Sequence, residues 1–176
     1  MSTTTKHLTR LAALAAVSLI ALTGCAAAEA PTESAPAGET VAITDAWVKA
    51  TDEDMSAAFG TLTNDGDDDI TVVSATTDAA GMVELHETVE NEAGEMIMRE
   101  IEGGFSIPAG GSLLLEPGAD HIMLMGLTGA LSAGDEVTVT LTFSDDSTYE
   151  FTAPVKDYSG ANENYDEGDD HEGMDH

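Results

Sequence analysis

Between residues 41 and 156 the chain never sustains a helical spacing of apolar residues. It runs instead in short stretches rich in Val, Ile, Thr and Leu, broken by clusters of Gly, Asn and Asp. That punctuation constrains the fold most, because such stretches bury an apolar face as strands with turns between them. Strands are predicted at 41–50, 57–63, 69–77, 82–90, 95–101, 112–116, 121–127, 135–143 and 147–156. Turns are predicted at Asn64-Asp65-Gly66, Glu92-Ala93-Gly94, Gly103-Gly104, Ala109-Gly110-Gly111, Pro117-Gly118 and Ser144-Asp145-Asp146. Val137, Val139, Leu141 and Phe143 alternate with Glu and Thr, the period-two signature of a half-buried strand. The expected architecture is all-β, a sandwich or Greek-key barrel.

The two ends read differently. Lys6, His7 and Arg10 form a short basic region, and an apolar run from Leu11 to Leu22 comes next. The run is shorter than the roughly 20 residues a membrane helix needs, and it fits a secretory signal. It ends in Leu22-Thr23-Gly24-Cys25, a tetrapeptide that resembles a bacterial lipobox, in which the cysteine is lipidated and becomes the mature N-terminus. Cys25 is the chain's single cysteine. One cysteine allows no intramolecular disulfide framework and no CxxC redox or zinc site. The expected organisation is a signal peptide at 1–24, a flexible tether at 25–40, one folded domain at 41–156 and a disordered acidic tail at 157–176. The location implied is extracytoplasmic, with the protein held to a membrane by the lipid on Cys25.

Charge narrows the partners. Five Lys and Arg stand against 34 Asp and Glu, a net charge of −29. A surface so acidic does not bind nucleic acid, which requires basic groups against phosphate. There is no GxSxG, no Gly-rich phosphate loop and no HExxH, and nothing points to an enzyme.

The informative side chains are His and Met. Beyond Cys25 the histidines are His86, His121, His171 and His176, and the methionines are Met55, Met82, Met96, Met98, Met123, Met125 and Met174. In a strand His121 and Met123 share a face. His86 lies opposite in parity to Val83 and Leu85, and across the Glu92–Gly94 turn the hairpin partner returns with Met96 and Met98, either of which can flank it. Two imidazoles and two thioethers can therefore surround one point. Thioether sulfur is a soft, neutral ligand that suits Cu(I), and without a cysteine in the domain the blue-copper His₂Cys site cannot be built. Methionine also fills gaps in cores, and Met82 and Met125 are readable as packing alone.

Taken together these stretches resemble the periplasmic copper chaperones called PCuAC. The resemblance rests on Asp45-Ala46-Trp47-Val48, Ala57 to Asn64, Met82 to Thr88, Met96-Ile97-Met98-Arg99, Pro108 to Gly111 and, most specifically, Gly118 to Leu127. It spans roughly 41–156 and implies a cupredoxin-like fold. It also implies Cu(I) ligation by His86, Met98, His121 and Met123, and delivery of copper to extracytoplasmic acceptors such as the copper centre of cytochrome oxidase. Glu87 stands where some members carry an additional methionine, so no ligand is expected there. His171, Met174 and His176 in the tail resemble the His/Met-rich extensions of some members and form a secondary metal-binding candidate, harder in character and suited to Cu(II). The competing reading is a surface-anchored all-β interaction module whose methionines only pack.

Overall fold

The computed structural model describes residues 34–159. The signal segment, Cys25, most of the tether and the tail residues His171, Met174 and His176 lie outside them. The described residues are almost entirely strand: β1 (Val41–Lys49), β2 (Met55–Asn64), β3 (Ile70–Thr76), β4 (Ala80–Glu90), β5 (Met96–Glu100), β6 (Phe105–Ile107), β7 (Ser112–Leu115), β8 (His121–Leu127), β9 (Glu136–Phe143) and β10 (Thr148–Lys156). Among these residues no helix is long and apolar enough to cross a membrane.

Hydrogen-bonded order is β5-β4-β8-β2-β1-β10-β9-β3-β6, and β7 pairs with β2. Pairing is antiparallel except where β1 meets β10 in parallel at Val48/Val155 and Lys49/Lys156. The expected alternation holds in β9, where Val137, Val139, Leu141 and Phe143 are all buried. They share one core with Leu85 of β4 and with Ile122 and Leu124 of β8. Full burial of each such side chain is worth about 1.5–3 kcal/mol.

Two features differ from the sequence expectation. Phe105-Ser106-Ile107 is a strand, paired with β3; three residues after Gly103-Gly104 carry too little periodicity to register, although Phe105 and Ile107 are buried. Ala37–Thr40, expected within the tether, is one turn of helix (α1) with Ala37 in the core. Backbone N–H groups at its start donate to the β9–β10 turn, Ala37 to Asp145 Oδ2 and Gly38 to Ser147 Oγ, each at 2.9 Å. Hydrogen bonds from the Ser147 hydroxyl and from the Ala37 N–H hold the Asp145 carboxyl below its ordinary value.

A bulge in β1 sets the facing of Trp47. Thr44 pairs with Thr61 but Trp47 pairs with Phe59, so Asp45 and Ala46 oppose the single residue Gly60. Asp45 has φ 55° and Gly60 φ 150°. A Cβ on Gly60 would meet Ile43 and Ala46 at 3.0–3.1 Å, so glycine is what lets the two strands cross here. The extra residue reverses the parity of β1 and turns Trp47 onto the side of Phe59, away from the main core.

Asn64 anchors the loop after β2. Its buried amide donates to the carbonyls of Asp68 (2.8 Å), Pro108 (3.1 Å) and Ile107 (3.3 Å), and its Oδ1 accepts from the Gly66 N–H at 3.0 Å. Asn64→Ala deletes these bonds from a buried side chain, leaving the Pro108 carbonyl only its bond from the Gly111 N–H, and should lower stability by about 2–3 kcal/mol in urea unfolding. A loss below about 0.5 kcal/mol would show that water replaces the amide.

Candidate metal centre

β4, β5, β8 and β2 lie side by side at one end of the strand order, and register decides which residues meet. His86 of β4 is directly opposite His121 of β8; Glu84 is opposite Met123, and Met82 opposite Met125. On the outer side of β4, Glu100 opposes His86, Met98 opposes Thr88 and Met96 opposes Glu90. Cross-strand partners project to the same face. This face is the one opposite Leu85, Ile122 and Leu124, so it lies on the back of the main core.

His86 and His121 are each 1% exposed, with ring centroids 5.5 Å apart in an edge-on arrangement. Buried imidazoles need hydrogen bonds. The His86 Nε2–H donates to Glu84 Oε2 at 2.8 Å. The His121 Nδ1–H donates to the Ala119 carbonyl at 2.9 Å. Each bond fixes a tautomer of the neutral ring, since carboxylate and carbonyl only accept. The lone pair then belongs to Nδ1 of His86 and Nε2 of His121. Metal-bound histidines are held in this way, one nitrogen donating to a carboxylate or carbonyl and the other presenting its lone pair to an ion.

The methionines fall on either side of the pair. Met123 is one step along β8 from His121, and Met98 is one step from His86 towards the β4–β5 turn. Both are buried, whereas Met96 is 54% exposed and one step further out. The two candidates that strand parity left open are thus separated by depth. Met123 packs with Ala57, Phe59 and Met125 in a small second cluster against Trp47. Phe59 reaches His121 at 6.3 Å between ring centroids, and Trp47 reaches Tyr158 at 5.4 Å. Without the β1 bulge Trp47 would not share this face. Met82, readable from sequence as a packing residue, is instead 53% exposed.

The surroundings are acidic. Glu84 and Glu100 flank His86. Asp120 adjoins His121, and burial raises its carboxyl above the ordinary value; the Glu87 carboxylate adds to the rise and His121 opposes it. Glu87 lies on the opposite face of β4 from His86 and is paired with Arg99 at 2.7 Å. A cation at the pair would be stabilised by this field and an anion rejected. Among the described residues no group of three or more His, Cys, Asp or Glu is placed to hold a metal ion. The further neutral donors next to the pair on this face are the thioethers of Met98 and Met123. Two neutral imidazoles with thioethers form a donor set suited to Cu(I). Glu84 is the residue sequence reasoning missed; its signal was its position two before His86, on the same strand face.

Three comparisons bear on this arrangement. The family model described as LpqE-like, a lipoprotein family, matches residues 41–155. A protein of Leifsonia xyli subsp. xyli (strain CTCB07), provisionally named lipoprotein Lxx21020, is 48% identical over 168 residues, which is 93% of this chain and 98% of that protein. Among solved structures, apo-DR1885 from Deinococcus radiodurans is 31% identical with a TM-score of 0.52, covering 90% of this chain and 97% of that one. The Cu(I) form of DR1885 is 33% identical at the same TM-score, over 74% and 85%. The copper-bound PCuAC domain from PmoF2 has a TM-score of 0.56 over 72% and 99%; at 17% identity it shows the shared cupredoxin-like fold alone.

Proposed function

This chain belongs to the LpqE-like lipoprotein family, and from that premise we propose that it is a lipid-anchored, extracytoplasmic copper carrier. In this reading it binds Cu(I) through His86, Met98, His121 and Met123. It passes the ion to a copper acceptor protein, with the copper centre of cytochrome oxidase as the acceptor the resemblance implies, and does no catalysis. The observation that carries the reading is the buried cross-strand pair His86/His121, each ring held by a backbone or carboxylate acceptor on the sheet face that bears the methionines. Neutral ligands also allow one ligand to be exchanged for another without separating charge, as a carrier requires. Support for copper comes from the likeness to DR1885, whose solution structure was solved with Cu(I), and support for the anchor on Cys25 comes from the lipoprotein names of the family and relative. The tail residues His171, Met174 and His176 would take Cu(II), to which imidazole and carboxylate are better suited than thioether.

The test is an anaerobic Cu(I) titration against a chromophoric chelator. The protein should withhold at least one Cu(I) per chain, and the methyl resonances of Met98 and Met123 should move with the first equivalent. Failure to withhold copper from a chelator of micromolar affinity would return the chain to the class of interaction modules.

A further inference from the structure

The methionines outside the proposed ligand set are not scattered. Register places Met82 of β4 opposite Met125 of β8, and Met125 opposite Met55 of β2. Three thioethers therefore form one rank across three neighbouring strands, on the face that carries His86 and His121. Neighbouring strands lie about 4.8 Å apart, so the two outer side chains need lean only one strand's width to meet the middle one. Met125 is buried in the floor of the rank, while Met55 and Met82 at its flanks are 39% and 53% exposed. Single exposed apolar side chains are ordinary on a protein surface, but here two of them flank a third of the same chemistry. Met123 lies between the rank and the histidine pair, about 7 Å along β8 from Met125. Asp52, Glu53 and Asp54 lead directly into Met55 and place negative charge beside the rank.

We propose that Met55, Met82 and Met125 form a second site for a soft monovalent cation, Cu(I), at the solvent edge of the histidine centre. The donor chemistry selects the ion. Three neutral sulfurs bind hard divalent cations poorly and suit Cu(I), and the adjacent carboxylates raise the local cation concentration without ligating. The rank is the accessible station and the histidine pair the buried one. The ion moves between them through Met123 by exchange of one thioether for the next, with no change in oxidation state. The inference rests on the Cu(I) reading of this face but assigns different residues, so the two can fail separately.

The experiment is an anaerobic Cu(I) titration of the protein labelled with ¹³C at the methionine methyls, in which Met174 of the tail reports separately. Met98 and Met123 should move with the first equivalent, and Met55, Met82 and Met125 together with a later one. The double variant Met55→Leu/Met82→Leu keeps the apolar volume; it should lose one Cu(I) of capacity and leave the first-equivalent shifts unchanged. In His86→Ala/His121→Ala the rank should still take up Cu(I). Methyls of the rank that stay put at excess Cu(I), or an unchanged capacity in the leucine variant, overturn the second site. Rank methyls that move together with Met98 at the first equivalent also overturn it, by merging the two sites into one. Persistence of the first-equivalent shifts in the histidine variant would instead sink the proposed ligand set and leave the rank standing.

Discussion

His121→Ala is expected to weaken Cu(I) binding at the buried centre by at least about 100-fold. Loss of an outer partner to a metal-bound histidine alone costs roughly 10–100-fold, and removing the ring takes away both the ligand nitrogen and its tether to the Ala119 carbonyl. His86→Ala should match it, because the register makes the two rings equivalent across one pair of strands. The fold should persist in both, since the rings lie on the sheet face opposite Leu85, Ile122 and Leu124 of the main core; unchanged far-UV circular dichroism would establish that. Met98→Ala should change affinity in the same direction, while the exposed Met96→Ala leaves it within twofold. Protons provide a second readout. Each imidazole must be neutral to bind, so apparent affinity falls with acidification and release of Cu(I) is accompanied by proton uptake, which should be smaller in either single variant. Variants that hold copper as tightly as the wild type, with the same proton uptake, would remove the pair from the site.

The second large effect is on the scaffold. Gly103 and Gly104 are adjacent, both with positive φ, at 92° and 82°. A Cβ on Gly103 meets nothing within 4 Å, whereas one on Gly104 would overlap the Val72 carbonyl oxygen. Alanine at 103 therefore incurs only the left-handed backbone cost of about 1–2 kcal/mol. Alanine at 104 must in addition push β3 and β6 apart, because the obstructing atom is backbone. Gly104→Ala should lose at least about 3 kcal/mol in urea unfolding, with loss of Phe105 and Ile107 from the core. Equal losses at the two positions would mean that backbone conformation, and not the close approach of β6 to Val72, is what the glycine serves.

Much of this was legible from residue order. Period-two alternation located β9 because one face of it is buried, and turn residues bounded the β4–β5 hairpin. The parity of His121 and Met123, and of His86 against Leu85, reads directly from a strand. What parity cannot supply is register, and register decided the rest. Parity left Met96 and Met98 equal and only the family resemblance favoured Met98; register adds that Met98 lies opposite Thr88 and is buried, while Met96 is exposed. The rank of Met55, Met82 and Met125 joins residues up to 70 positions apart, and no local pattern relates them. Trp47 is subtler: its parity with Val41 and Ile43 would put it in the core, and only the extra residue at Asp45-Ala46 turns it outwards. The one-turn helix α1 was hidden by composition, since Ala, Gly and Thr in a run resemble a linker until the β9–β10 turn offers acceptors.

β5 ends the strand order, hydrogen-bonded to β4 on one side, and it carries Met98. His86, His121 and Met123 sit on β4 and β8, which are paired on both sides. On the proposed ligand set, the ion's residence time is therefore governed by fraying of one terminal hairpin and not by the stability of the domain. Peeling β5 back would strip away a single sulfur and leave three ligands in place, a vacancy that an incoming donor can fill before the ion is ever released. Hydrogen exchange across the β5 amides would then act as a clock for copper transfer, and a hairpin clamped shut would make the protein a sink instead of a courier.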